Sequence, residues 1–166
     1  MLGDDGGKSM TDPAGALKPR DLAEWVGRYR GGGVNHEGQA FDAVAELREI
    51  VDGRSLCLEF TATGSDGEVY HTEVSLIGAD LFGGGLCLAQ ACSNIPGLTV
   101  HHNTDTVVAD DGRLAEVSFS FGGDDSGFRQ VLTLSRPRPG TLVYAFAWAM
   151  PGEPVEPRSK ATLTSV

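Results

Sequence analysis

His71 and Glu73 stand two residues apart in an apolar-alternating run that ends at Ile77, and in an extended strand that spacing puts both on one face. An imidazole beside a carboxyl on a core-facing surface has to be hydrogen-bonded, neutralised or used, because burying unpaired charge costs several kcal/mol. Used, the pair could be a base and its orienter, or one could give and the other take a proton, since burial raises a carboxyl pKa and lowers an imidazole pKa. Unused, it is a pair satisfying itself in the interior, or one turned to solvent by a single-residue slip of register. The other histidines are His36, next to Glu37, and the neighbours His101 and His102. With His71 and Glu73 these supply enough ligands for zinc or iron if three meet, though His36 falls at a strand end and His71 in mid-strand. There is no nucleophile elbow, no metal-protease helix and no phosphate loop, so catalysis rests on His71 and Glu73 alone.

The elements that would position the pair are set by turns. Asp52-Gly53 and Asp66-Gly67 are Asp-Gly dipeptides flanked by β-rich sequence, a strong hairpin signal. Read as two-residue turns, they put Phe41, Ala43, Ala45, Leu47, Leu56, Leu58, Phe60 and Ala62 on one face. Asp42, Glu46, Arg48, Ser55, Glu59 and Thr61 take the other, and so does Cys57. Carried across the second turn, the register sets Glu73 opposite Phe60 and His71 opposite Ala62, on the apolar face, with Ser75 and Ile77 following. A third turn, Asp111-Gly112, puts His102, Thr104, Thr106 and Val108 inward with Ala115, Val117, Phe119 and Phe121. His101, Asn103, Asp105, Glu116, Ser118 and Ser120 then face water.

The remaining chain adds strands. Residues 1–18, rich in Gly, Asp, Ser and Pro, read as a disordered tail ahead of one domain over 19–166. A short helix follows from Arg20, with Asp21 as cap and Leu22, Trp25 and Val26 packing one face, closing one end of the fold. Tyr29 to Asn35 is a first strand whose glycines permit curvature or close approach of another backbone. Gly84 to Ser93 is a fifth strand with two apolar faces, between which the pattern does not choose. Gly127 to Ser135 and Leu142 to Met150 are the eighth and ninth; a Pro-rich link, 151–157, leads to a tenth over Arg158 to Val166. Ten antiparallel strands with short links escape exposed edges by closing into an all-β, up-and-down barrel. At that strand number the interior is wider than side chains fill, so a luminal cavity is expected.

Composition bounds the partners. A net charge of −10 disfavours nucleic acid and anionic membrane. The longest apolar run is too short for a bilayer helix, and Asp4 and Asp5 stand where a secretory signal needs positive charge, so the reading is cytoplasmic. Cys57, Cys87 and Cys92, an odd number without metal-ligand spacing, read as reduced thiols.

The order Trp25-x-Gly27-x-Tyr29-Arg30-Gly31-x-Gly33, Phe41, Asp52-Gly53-Arg54-Ser55-Leu56, His71-x-Glu73, Leu142-x-Tyr144 leading to Ala149-Met150, and Ala161-x-Leu163 resembles the nitrobindin-like β-barrels of the calycin superfamily. The resemblance spans roughly residues 20–166 and implies a ten-stranded, lipocalin-like barrel; nitrobindins hold ferric haem, making haem a candidate cofactor. In that family a C-terminal histidine ligates the iron. Here the matching segment is Arg158-Ser159-Lys160-Ala161-Thr162-Leu163, and a guanidinium cannot supply the lone pair. Arg158 could instead pair with a carboxylate or phosphate on another ligand.

The features favour a binding protein over an enzyme. The expectation is a barrel for a small apolar or amphipathic molecule, with His71, Glu73, His102, Thr104 and Arg158 as polar contacts and Phe60, Phe119, Phe121, Tyr144 and Trp148 as wall. The enzyme alternative uses His71 and Glu73 as an acid–base pair. A homodimer through outward Val44, Val74 and Leu76 is a further candidate interaction.

Overall fold

Alternation of apolar and polar residues punctuated by tight turns gives strands, and a computed structural model describing residues 16–166 has ten of them. They are β1 (Gly27–Asn35), β2 (Ala40–Ile50), β3 (Ser55–Gly64), β4 (Val69–Ala79), β5 (Leu86–Cys92), β6 (Ile95–Val108), β7 (Leu114–Phe121), β8 (Arg129–Ser135), β9 (Thr141–Ala149) and β10 (Glu156–Ser165). Each pairs antiparallel with its sequence neighbours, and β1 pairs with β10 to close the barrel, so no edge is left unpaired. The greater part of the tail expected over residues 1–18 lies outside the described residues.

Closure depends on Gly31 and Gly33, which face Leu163 and Ala161 across the seam. A Cβ at Gly31 would lie 2.1 Å from the Thr162 carbonyl oxygen, and one at Gly33 2.2 Å from that of Lys160. This is the close backbone approach anticipated for these glycines. The expected helix is a single 3₁₀ element, Pro19–Trp25, packed against β3 and β4, with Leu22 and Trp25 buried and Val26 exposed instead of sharing their face. Asp21 does not head it: Lys18 is the N-cap, and the Asp21 carboxylate accepts from the Lys18 backbone N–H at 2.8 Å. The element stands beside the 51–54, 80–85, 109–113 and 136–140 turns and plugs that lower end.

The β2–β3–β4 register is as expected, with Ala45 opposite Phe60, Phe60 opposite Glu73 and Ala62 opposite His71. The second turn reaches it by a different route. Gly64 pairs with Glu68 across a three-residue loop, and an irregularity at Tyr70 removes the extra residue before His71.

The β6–β7 hairpin corrects the expected orientation of His102 and Thr104. Thr106 pairs with Val117 and Asp105 with Ser118, as the two-residue turn requires, but Asn103 then pairs with Phe119 because Thr104 is bulged out. One extra residue reverses the faces of everything beyond it. His101 is therefore inside, at 0% exposure, while the His102 side chain is 62% exposed. Thr104 is also outside, hydrogen-bonded to the Ser120 hydroxyl at 2.8 Å. The fifth strand's ambiguity resolves with Leu86, Leu88 and Gln90 inward.

Candidate functional site

The upper end of the barrel, ringed by the 36–39, 65–68, 93–94, 122–128 and 150–155 loops, opens into a cavity of about 320 Å³. Its wall is largely aromatic and aliphatic: Phe41, Phe60, Ala62, Tyr70, Ile95, Phe128, Tyr144, Phe146, Trp148 and Met150. Asn35, His36, His71, Cys92, Asn94, Arg158 and Ser159 supply the polar atoms. Alternation within each strand explains the lining, since inward positions near the upper ends of β2, β3, β4 and β9 carry these side chains.

Beneath the cavity Glu73 is 2% exposed and is the hub of a hydrogen-bond network. Its Oε2 accepts from the Tyr144 hydroxyl at 2.5 Å and the Gln90 amide at 2.8 Å, and meets His71 Nε2 at 3.1 Å. Its Oε1 accepts from the Ser75 hydroxyl at 3.0 Å. Gln90 Oε1 in turn accepts from the Gln130 amide at 3.0 Å, and that amide nitrogen abuts His101 Nε2. Burial is thus met by pairing, as a polar group in a dry interior requires. Among the described residues, His101 Nδ1 and Gln130 Oε1 are the network's atoms without a hydrogen-bond partner.

Burial, and after it the charge of Glu73, holds the Tyr144 hydroxyl well above its ordinary pKa of 10.0. Burial likewise pushes the His101 imidazole down, favouring its neutral form. A raised folded-state pKa means the unfolded chain gives up this phenolic proton first as pH climbs past about 10, so stability is whole below that pH and falls above it. We expect Tyr144→Phe to reduce the alkaline slope of unfolding free energy by up to about 1.4 kcal/mol per pH unit, read from urea midpoints between pH 9 and 11. Equal slopes for the two proteins would reject this reading. Tyr29, also raised by burial, contributes in both and cancels in the comparison.

Of the residues proposed from sequence, Phe60, His71, Tyr144, Trp148 and Arg158 line the cavity and Glu73 lies under it. Phe119 is fully buried in the core but is not part of the lining, and His102 and Thr104 are on the outer wall. His102 Nδ1 lies 2.7 Å from Asp80 Oδ2. The backbone N–H groups of Gly83 and Phe82, then His102, bring the Asp80 pKa down to about 2. Gln90 as a partner of Glu73, with Gln130 and His101 behind it, is not among the sequence expectations. The available signal was a glutamine interrupting each of two apolar alternations, Leu86-Leu88-Gln90 and Phe128-Gln130-Leu132.

Arg158 sits at the mouth with its guanidinium 4.0 Å from the Trp148 ring centre, and its Nε donates to the Trp148 carbonyl at 3.4 Å. No three His, Cys, Asp or Glu side chains gather as a metal site among the described residues. His36 instead packs edge-on against Trp148. On the outside Val74 and Leu76 join Ala89, Ala91, Leu98 and Val100 in a patch across β4, β5 and β6, while Val44 lies two strands away on β2. No helix among the described residues is long and apolar enough to cross a membrane.

Fold and site define a closed ten-stranded β-barrel with a ligand-sized cavity at one end. No family model matches the sequence, and no curated protein matches it. The structure is similar to the crystal structure of Rv2717c from M. tuberculosis, at 15% identity and a TM-score of 0.59 over 90% of this chain and 99% of that one. It is also similar to a de novo designed fluorescence-activating β-barrel, at 11% identity and a TM-score of 0.46 over 88% of this chain and 98% of that one. A redesigned barrel bound to DFHBI gives 11% identity and a TM-score of 0.45, covering 87% and 98%. These are likenesses of fold.

Proposed function

We propose that this protein binds one small apolar or amphipathic molecule in the upper cavity. The observation that carries the reading is the cavity itself: about 320 Å³, walled by aromatic side chains, with few polar groups and one cationic side chain at its mouth. Ligand sites are typically concave, mostly apolar and roughly 300–1,000 Å³, so this one suits a ligand of modest size. Arg158 supports an anionic end, because a planar guanidinium pairs with carboxylates through two parallel hydrogen bonds. Haem would draw its iron ligand from the cavity's imidazoles, His36 and His71, and a saturable Soret shift with one equivalent of haemin tests that ligand. Binding ranks above acid–base catalysis because both Glu73 oxygens are already engaged by the protein's own groups.

Titration calorimetry with 2-naphthoate, a two-ring acid, tests the reading. The expected result is one saturable site, lost on Ala62→Trp, which fills the lumen, and weakened about tenfold on Arg158→Ala. No saturable binding to the wild-type protein, or unchanged binding to Ala62→Trp, would refute the cavity as the site.

A further inference from the structure

We propose that the deep end of this cavity recognises a hydroxyl donor on the ligand through His71 Nδ1, while Arg158 holds an acid group at the mouth, so that the ligand class is hydroxylated aromatic acids. The inference rests on the cavity reading above.

The direction of the buried hydrogen bonds carries it. Gln90 turns its amide N–H toward Glu73 and its oxygen toward the Gln130 amide, and it cannot be reversed without setting its oxygen against the Glu73 carboxylate. Tyr144 and Ser75 also donate to Glu73. Glu73 is thus placed as an acceptor of every neighbouring donor, and in that role it takes an N–H from His71 Nε2, 3.1 Å away. Taken as neutral, the His71 imidazole carries its one N–H on Nε2, which leaves Nδ1 as an acceptor. That atom makes no hydrogen bond within the described chain and is not among the sealed, unpartnered atoms, while the ring lines the cavity with Phe60 and Phe146 centred 6.0 and 6.1 Å from it. The Tyr144 proton is spent on Glu73 too, so beside the weakly donating Cys92 thiol the strong hydrogen-bonding atom offered to a ligand here is the Nδ1 acceptor.

The opposite requirement holds at the mouth. Among the described residues Arg158 Nη1 has Glu156, at 3.8 Å and well exposed, as its one charged neighbour, so the guanidinium fork is open to an incoming carboxylate. His71 on β4 and Arg158 on β10 are four strands apart around the ring, which puts them on facing walls. A flat ligand lying between the aromatic side chains would bridge them.

The test compares 6-hydroxy-2-naphthoate, 6-methoxy-2-naphthoate and 2-naphthoate by calorimetry on the wild-type protein and on His71→Phe. The hydroxy acid should bind the wild type about tenfold tighter than either analogue, and His71→Phe should bring the three affinities together. Equal affinities on the wild type would overturn the inner acceptor while leaving the cavity reading intact. A hydroxyl preference that survives His71→Phe would overturn the assignment to His71. Failure of all three acids to bind would sink the cavity reading itself, and this inference with it.

Discussion

Glu73→Leu should lower the unfolding free energy by about 4 kcal/mol, and Glu73→Gln by about 1.5 kcal/mol, measured as urea midpoints at constant slope. Leucine is close in size and apolar, so a site that merely needed filling would accept it. Here it would strand the Tyr144 hydroxyl, the Gln90 amide and the His71 Nε2–H, each turned toward Glu73 Oε2. A buried donor deprived of its acceptor costs about 1–3 kcal/mol, and the three cannot all find water beneath the lumen floor. Glutamine keeps one oxygen for those three donors and can turn its N–H₂ toward Ser75, whose hydroxyl rotates to accept. It loses the charge-assisted part of the bonding, which is why a smaller loss is expected. A leucine variant as stable as the wild type would mean that the network is incidental to the fold.

Gly31→Ala should cost about 3 kcal/mol for a different reason. The added carbon meets a backbone carbonyl, Thr162 O, at 2.1 Å, not the mobile end of a side chain. Relief requires β1 and β10 to move apart along the seam that closes the barrel. The control is Gly38→Ala in the β1–β2 loop, where no atom of the described residues lies within 4 Å; its φ of +77° leaves the backbone cost of about 1 kcal/mol. Equal losses at the two positions would reject close approach at the seam as the cause.

Much of the architecture could be read from residue order because strand periodicity and turn chemistry are local. Asp52-Gly53 set the β2–β3 pairing directly, with Asp52 and Gly53 both at positive φ. The alternation in 142–150 placed Tyr144, Phe146 and Trp148 on one face without reference to any other strand. Where two departures compensated, as the longer 65–67 loop and the irregularity at Tyr70 did, a simple count of residues still reached His71 and Glu73 correctly. The same count failed at Thr104, because whether a strand bulges depends on what its neighbours and the curvature of the closed sheet require. Asp80, in the turn beyond Ala79, takes up the His102 side chain, and Gln130 from β8 receives His101.

Residue order carried the class of fold, ten alternating strands that can satisfy their edges only by closing, and it put His71, Glu73 and Phe60 on one face, with Tyr144 expected in the wall. Those features follow from the two-residue period of a strand and from the backbone demands of Asp-Gly turns, both carried by neighbouring residues. Which histidine of the adjacent pair is buried, that Gln90 and Gln130 link it to Glu73, and that Arg158 stands across the lumen from His71 emerge once the strands are closed into a barrel. Those are relations between strands far apart in the chain, set by register shifts and by closure, and no local pattern encodes the distance between them.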